Sequence, residues 1–372
     1  MVLPSLEMGG AERVSVALIN NLSRQHFTLH VIVCGDEDGP LSHELPENLN
    51  IVFLRKSRVR HALRAILSHT RQLKPNLLFL NLSYLNLLVA IFRSFLPRQT
   101  KVIARETNVV SLNNLNYRLP AFWNVLYRAF YSRLDHIICQ TTVMQTDLVA
   151  KYAVAKERTT VISNPVDVNK ILELSRDEPS AEPMDHHQAS SGGFDVTTKK
   201  AGLHLLSASG LRPEKNLDGL IRGFHKAGTR NIVLEILGDG PERPRLEAMV
   251  QRLGLQQTVT FTGMAANPFR TMSQADAVIL TSHNEGLPNV LLEALALGKQ
   301  IISTPAGGTC NELLDGLPGC VLAQSASDDH IAAAIDLWAE SRADMPPSQL
   351  PEKFHLDQIM VAYESLFQSV RT

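Results

Sequence analysis

The 372-residue chain has four cysteines, Cys34, Cys139, Cys310 and Cys320, and they are scattered. There is no C-x-x-C pair and no histidine spacing that would close a zinc tetrahedron, so no metal site is read and a reduced, cytoplasmic setting is expected. Long apolar runs are also missing. The longest, 85–92, contains Asn86, meets Arg93 and stops at Pro97, short of the ~20 apolar residues that span a bilayer. The start has no basic region ahead of an apolar run, so no signal peptide is read. Net charge is nearly absent: 36 Lys and Arg against 37 Asp and Glu leave −1. A nucleic-acid partner, which normally calls for a strongly basic chain, is therefore not expected.

The chain does hold apolar residues, 44% of the total, enough for two ordinary cores at this length. Short β-branched runs alternate with helical patterns, the mark of parallel sheets with crossover helices. Strands are expected at 29–34, 51–54, 77–80, 101–104, 136–139 and 160–162. A second set is expected at 203–206, 232–237, 259–261, 277–280, 300–303 and 319–322. Helices are expected between them, for example at 11–22 and 59–73. The first strand is short, since only Val2 and Leu3 precede Pro4, as though part of it were missing. The reading is α/β, with a first doubly wound domain over 1–170 and a second over 203–350. Residues 171–202, rich in Pro, Ser, Gly and Asp, read as a linker or mobile insertion. Adjacent His186 and His187 within it cannot face one ion from a strand or a helix and read as part of a solvated loop.

Residues 277–298 are the most informative. A buried strand ends near Leu280, a loop presents Glu285 and Gly286, and a helix is expected from Pro288, where a missing N–H is harmless, to a stop at Gly298. This sets a carboxylate and a row of backbone N–H groups at the carboxyl end of a parallel strand. Open α/β sheets bind ligands there, and such amides suit a diphosphate. Glu285 and Glu293 do not share a helix face, because the first lies in the loop, so their roles should differ.

The stretch resembles the signature of family 4 of the glycosyltransferases, E-G-x-P-x-x-x-x-E-A-x-A-x-G, and every fixed position is present from Glu285 to Gly298. Four more segments match in order: M-G-G-A-E-R at 8–13, V-I-S-N-P-V-D at 161–167, L-R-P-E-K-N-L-D-G-L-I at 211–221 and I-L-G-D-G-P at 236–241. The resemblance implies a retaining enzyme of the GT-B fold, two Rossmann-like domains facing a cleft, with the C-terminal segment 351–372 returning to the first. It implies that Glu285 holds hydroxyls of the donor sugar, that Glu293 holds the nucleotide ribose, and that Gly286, Leu287, Pro288 and Asn289 touch the sugar or the phosphates. Hydrogen bonds to sugar hydroxyls can strengthen as the anomeric carbon gains oxocarbenium character. Lys215 matches the family lysine beside the departing diphosphate, where a cation stabilises leaving charge. The resemblance also implies that the leaving phosphate takes the acceptor proton and that no metal is required, in keeping with the lack of a D-x-D placed for a metal-held diphosphate. The implied reaction moves a hexose or N-acetylhexosamine from a nucleoside-diphosphate sugar, without cofactor, to a hydroxyl on a lipid-linked or cell-surface glycan.

There are departures from the pattern. The family arginine of G-R-L-x-x-x-K is Gly210 here, and Arg212 is the candidate for the same phosphates. Gly9 and Gly10 stand where the first strand turns into a helix; glycine there permits a positive φ and close approach to a donor. The turn at Gly238 and Gly240 lacks a third glycine, with Arg243 in that place, and reads as a sheet-edge turn. In 304–312 the glutamate, Glu312, comes one residue later than in the usual G-G-x-x-E.

On the acceptor side, Glu106 and Asn108 follow a strand at its carboxyl end and are candidate acceptor groups, or members of a plain surface loop. Residues 117–131 carry six of the 21 aromatics, which reads either as one helix packed into the core or as a surface that meets lipid. Residues 55–74 hold seven Lys and Arg and no acid, suiting an anionic membrane with attraction of about 1 kcal/mol per cation. By halves, residues 1–170 carry 20 Lys and Arg against 12 Asp and Glu, a net +8, leaving −9 for the rest. These features suggest a peripheral enzyme on the cytoplasmic membrane face. Two rival readings use the same scaffold, a nucleotide-sugar epimerase and a non-catalytic sugar-nucleotide-binding scaffold protein.

Overall fold

A computed structural model of the chain describes residues 1–7, 9–56, 58–176, 202–229 and 231–371. They form two compact units, Met1–Pro165 with Glu352–Thr372, and Val166–Pro351. His186, His187 and most of the expected linker lie outside the described residues. The start of that stretch is not linker: Val168–Arg176 is a helix with Ile171 buried. The apolar positions Val168, Ile171, Leu172 and Leu174 are enough for a helical stripe before the polar run begins.

The first unit holds seven strands: β1 (Val2–Leu3), β2 (His30–Val33), β3 (Asn50–Phe53), β4 (Leu77–Leu80), β5 (Lys101–Arg105), β6 (His136–Cys139) and β7 (Thr159–Val161). Their order is β3-β2-β1-β4-β5-β6-β7, and every pairing is parallel. Such strands are covered on both faces and so read as continuous apolar runs; all four residues of β6 are buried. The short β1 is central. Val2 and Leu3 are 1% and 0% exposed, in register with Ile32 and Val33 on one side, and Val2 pairs with Leu80 on the other.

Side chains alternate between the two faces of this sheet. Val2, Leu78, Leu80, Val102 and Ile137 join one core with the helices Val59–Leu73, Ser83–Ile91 and Pro120–Phe130. Phe79, Ile103 and Ile138 face the other way, against the helix Gly10–Asn21 and the C-terminal helix Leu356–Arg371. The C-terminal helix contributes Ile359, Met360, Tyr363 and Phe367. Phe79 meets the rings of Tyr363 and Phe367 edge-on at 6.1 and 5.5 Å, and Glu364 Oε1 accepts a 2.7 Å hydrogen bond from the Ser23 amide.

The second unit has six parallel strands: β8 (Leu203–Ala208), β9 (Ile232–Leu237), β10 (Val259–Gly263), β11 (Ala277–Leu280), β12 (Gln300–Ser303) and β13 (Cys320–Leu322). Their order is β10-β9-β8-β11-β12-β13. Trp338, fully buried, donates through Nε1 to Gln300 Oε1 at 2.8 Å and ties the helix Asp328–Ser341 to β12. The expected α/β class is borne out in both units. In each sheet the order reverses once, between β1 and β4 and between β8 and β11, which opens a crevice at the strands' carboxyl ends.

Phe367→Ala is expected to lower the unfolding free energy of the first unit by about 3 to 5 kcal/mol, read by denaturant titration. Val361→Ala on the same helix, at a position 65% exposed, should stay within about 0.5 kcal/mol of the parent.

Candidate functional site

The neighbours β8 and β11 end side by side, and their loops carry the two groups singled out in the sequence. Beyond β8 the chain passes Gly210 and Arg212 into the turn Pro213–Lys215. Beyond β11 it passes Thr281, Ser282 and Glu285 into the helix Asn289–Ala296. The loops are stitched together by their backbones. The His283 amide donates to Glu214 O at 3.0 Å, and Thr281 Oγ1 donates to Lys215 O at 3.2 Å and Asn216 O at 3.3 Å.

Lys215 Nζ then reaches Glu285 Oε1 at 2.6 Å, with side chains 24% and 12% exposed. Ser282 Oγ donates to the same oxygen at 2.6 Å. A third loop, after β12, clamps the backbone of Glu285: its amide donates to Ala306 O at 3.2 Å and its carbonyl accepts from Thr309 Oγ1 at 3.3 Å. The clamp depends on a left-handed run, with φ of 46°, 74° and 95° at Ala306, Gly307 and Gly308. Glycine tolerates such values and alanine does so at a cost. Ser282 and Thr309 were not singled out in the sequence; a hydroxyl three residues before Glu285 and one just past the glycine pair were the only signals.

Gly286, Leu287 and Pro288 are buried and Asn289 is half-buried. The helix begins at Asn289, with Pro288 as its cap rather than its first residue, and Gly298 ends it at φ +68°. The amides of its first turn form the positive end of the helix dipole. Glu293 is inside the helix and 8% exposed. Arg212 is exposed. A Cβ built on Gly210 would lie 3.9 Å from Arg212 Nε and from Asp239 O, which is ordinary contact. Arg212 runs beside the place that a side chain at 210 would occupy, and nothing nearby requires glycine there.

The other candidates belong to the first unit. Gly9 and Gly10 follow β1, but Gly9 has φ −90°, so the expected positive φ is absent. What the missing side chain admits is the carboxylate of Glu12, which occupies the place a Cβ at Gly9 would take, folded back over the first helical turn. Asn108 is half-buried and donates to Thr107 Oγ1 at 3.3 Å.

Glu106 is not an open surface group: it is fully buried. Its amide donates to Ile138 O at 2.9 Å, its Oε1 accepts from Asn86 Nδ2 at 2.9 Å, and its carbonyl accepts from Gln140 Nε2 at 2.9 Å. Burial raises its pKa to about 7, opposed by hydrogen bonds from Ser83 and Asn86 and by the charge of Arg105. Arg105 is itself buried, 1% exposed, and donates to the side-chain oxygens of Asn81, at 2.7 Å, and Asn164. As the last residue of an apolar strand, Arg105 gave no sign in the sequence of lying inside.

With its pKa raised in the fold, Glu106 keeps a proton that the unfolded chain releases. Stability should therefore fall as pH rises from about 4.5 to about 7 and level off above it. Glu106→Gln is expected to remove that decline, on the order of 3 kcal/mol between the two plateaus. Unfolding titrations of both proteins between these pH values check this, and parallel curves would contradict it.

Residues 195–354 match the family model "Glycosyl transferases group 1" and residues 8–170 match "Glycosyltransferase Family 4". A Campylobacter jejuni protein, N-acetylgalactosamine-N,N'-diacetylbacillosaminyl-diphospho-undecaprenol 4-alpha-N-acetylgalactosaminyltransferase, is 26% identical over 83% of this chain and 81% of its own. An uncharacterized glycosyltransferase of Methanocaldococcus jannaschii is 29% identical over 50% of this chain, which spans 44% of that relative's length. Among solved structures, Anabaena Alr3699/HepE in complex with UDP and glucose aligns with a TM-score of 0.76 at 19% identity, covering 99% of this chain and 98% of that one. The two family models fall one on each half, and the parallel-sheet architecture agrees with them: the chain belongs to family 4 of the glycosyltransferases and has the two-domain, Rossmann-like GT-B fold.

Proposed function

We propose that the protein is a retaining glycosyltransferase that moves a hexose or N-acetylhexosamine from a nucleoside-diphosphate sugar to a hydroxyl of a lipid-linked or cell-surface glycan at the cytoplasmic membrane face. The observation that carries the reading is the 2.6 Å contact of Lys215 with Glu285 at the crevice between β8 and β11. In this reading the carboxylate of Glu285 accepts hydrogen bonds from donor-sugar hydroxyls, and Lys215 stabilises the charge that gathers on the departing diphosphate. Arg212 adds a second cation in place of a side chain at Gly210. The first-turn amides of the helix Asn289–Ala296, with Gly286, Leu287 and Pro288, approach the sugar and the phosphates, and Glu293 holds the ribose. In the first domain, Glu106 holds the β5 end in shape for Asn108 as an acceptor-side group.

The bond from the anomeric carbon to the diphosphate oxygen breaks as the acceptor oxygen bonds on the same face. The acceptor proton passes to the leaving phosphate, so no protein base, cofactor or metal takes part. Support for the substrate classes comes from relatives: the Campylobacter protein's name specifies an undecaprenol-linked acceptor, and HepE structures carry UDP and UDP-glucose. These put uridine nucleotides and a polyprenyl-linked sugar first among the compounds to try.

A nucleotide sugar at 100 times its dissociation constant should stabilise the protein by ~2.7 kcal/mol, read as protection against thermal unfolding. Lys215→Ala and Glu285→Ala should each cut turnover by roughly 10²- to 10³-fold while the fold persists. The product should keep the donor's anomeric configuration by NMR, and excess EDTA should leave the rate unchanged. Wild-type turnover in both variants would overturn the reading, and an inverted product would overturn retention.

A further inference from the structure

In the first unit the helices Val59–Leu73, Ser83–Ile91 and Pro120–Phe130 pack into one core over the same sheet face. Tyr127 and Tyr131 turn inward, 2% and 0% exposed, and Trp123, Leu126 and Phe130 pack against that core. The outward side of the last helix is apolar as well. Leu115, Leu119, Phe122 and Val125 are 53% to 63% exposed, and Phe122 and Val125, three residues apart, share one helix face. A solvated helix carries polar residues on that side, and a contiguous open apolar patch marks a contact surface.

The surroundings of this patch carry charge of one sign. Residues 48–134 hold 14 Lys and Arg and a single acid, Glu106, which is buried. Arg118, Arg128 and Arg133 stand exposed beside the apolar residues, and Arg60, Arg64 and Arg71 on Val59–Leu73 and Lys74 at its end are exposed. Arginine and open aromatic rings are interleaved: Arg133 lies 4.6 Å from the Phe130 ring centroid, and Arg71 donates to Phe95 O at 2.7 Å.

We infer that this face, with Leu119, Phe122 and Val125 as the inserting residues and Arg118, Arg128 and Arg133 as the rim, docks on a bilayer of anionic lipid. The inference rests on the lipid-linked acceptor proposed above and names the surface that brings the enzyme to it. A second copy of the chain fits poorly, because a self-complementary contact would set arginine against arginine. A polyanion without an apolar phase would leave Leu115, Leu119 and Val125 against phosphate. An anionic membrane satisfies both parts, taking the apolar side chains into the acyl boundary and the guanidinium groups among the headgroups.

The test is co-sedimentation of the full chain with vesicles of phosphatidylcholine alone and of phosphatidylcholine mixed with phosphatidylglycerol, at low and high salt. Binding to the anionic vesicles only is expected, weakened by salt. Phe122→Ser with Val125→Ser, and Arg118→Glu with Arg128→Glu, should each reduce it by roughly tenfold or more. Both double variants change exposed positions and should keep the parent's thermal protection by nucleotide sugars. Equal binding to both vesicle types, unchanged partitioning of the variants, or a dimer by light scattering that the serine variant splits would each overturn the inference. If no nucleotide sugar protects the parent while the vesicle results hold, the donor reading fails and the docking surface stands.

Discussion

The candidate site depends on holding an ammonium and a carboxylate in contact where neither is well hydrated. Bringing Lys215 and Glu285 this far from water costs free energy, and the cost is offset only if the geometry is fixed and the remaining lone pairs are bonded. The neighbouring loops supply that fixing. Ser282 bonds the same carboxylate oxygen, Ala306 and Thr309 grip the backbone of Glu285, and Thr281 holds the carbonyl of Lys215. All of these groups follow β8, β11 or β12, three adjacent strands. A shift of register in this sheet would therefore move the charges and their supports together. The left-handed run at Ala306, Gly307 and Gly308 belongs to the same arrangement: local backbone strain places a carbonyl where the Glu285 amide needs an acceptor.

Charge is divided unevenly between the two halves, and the division is invisible in the total of −1. In the first half the cations are mostly outside, and residues 48–134 hold a single acid, Glu106, which is enclosed. Burial takes this one acid off the surface and raises its pKa to about 7, so it is a protonated hydrogen-bonding anchor at mildly acidic pH. Arg105 beside it is held by amide oxygens rather than by a carboxylate. The end of β5 is therefore polar inside and carries little of the surface field.

The strands were legible because parallel strands are covered on both faces, so the apolar runs at 77–80, 136–139 and 277–280 announce themselves, whereas their order in each sheet came only from the structure. Glu285, Lys215 and Glu293 were legible from a spacing pattern that spans strand, loop and helix. Other features depended on three-dimensional facts. Gly9 matched a pattern but takes an extended backbone, and its small size serves Glu12 instead. Tyr127 and Tyr131 sit in the core while Phe122 lies outside, a division that composition alone does not carry. Val168–Arg176 was hidden because a polar run follows directly. Ser282 and Thr309 were missed because an isolated hydroxyl carries no pattern at all.

The helix Leu356–Arg371 covers Phe79, Ile103 and Ile138 of a sheet whose strands all lie before residue 165. During synthesis at about 5–20 residues per second, the whole of the second unit is made before that helix exists. One apolar face of the first sheet stays only partly covered through this interval, by the helix Gly10–Asn21, although its strands are already made. The half made first is thus the half completed last. A chain cut short before that helix would hold every strand of the first sheet and leave part of its apolar face open, which makes the first unit the aggregation-prone part of such a product.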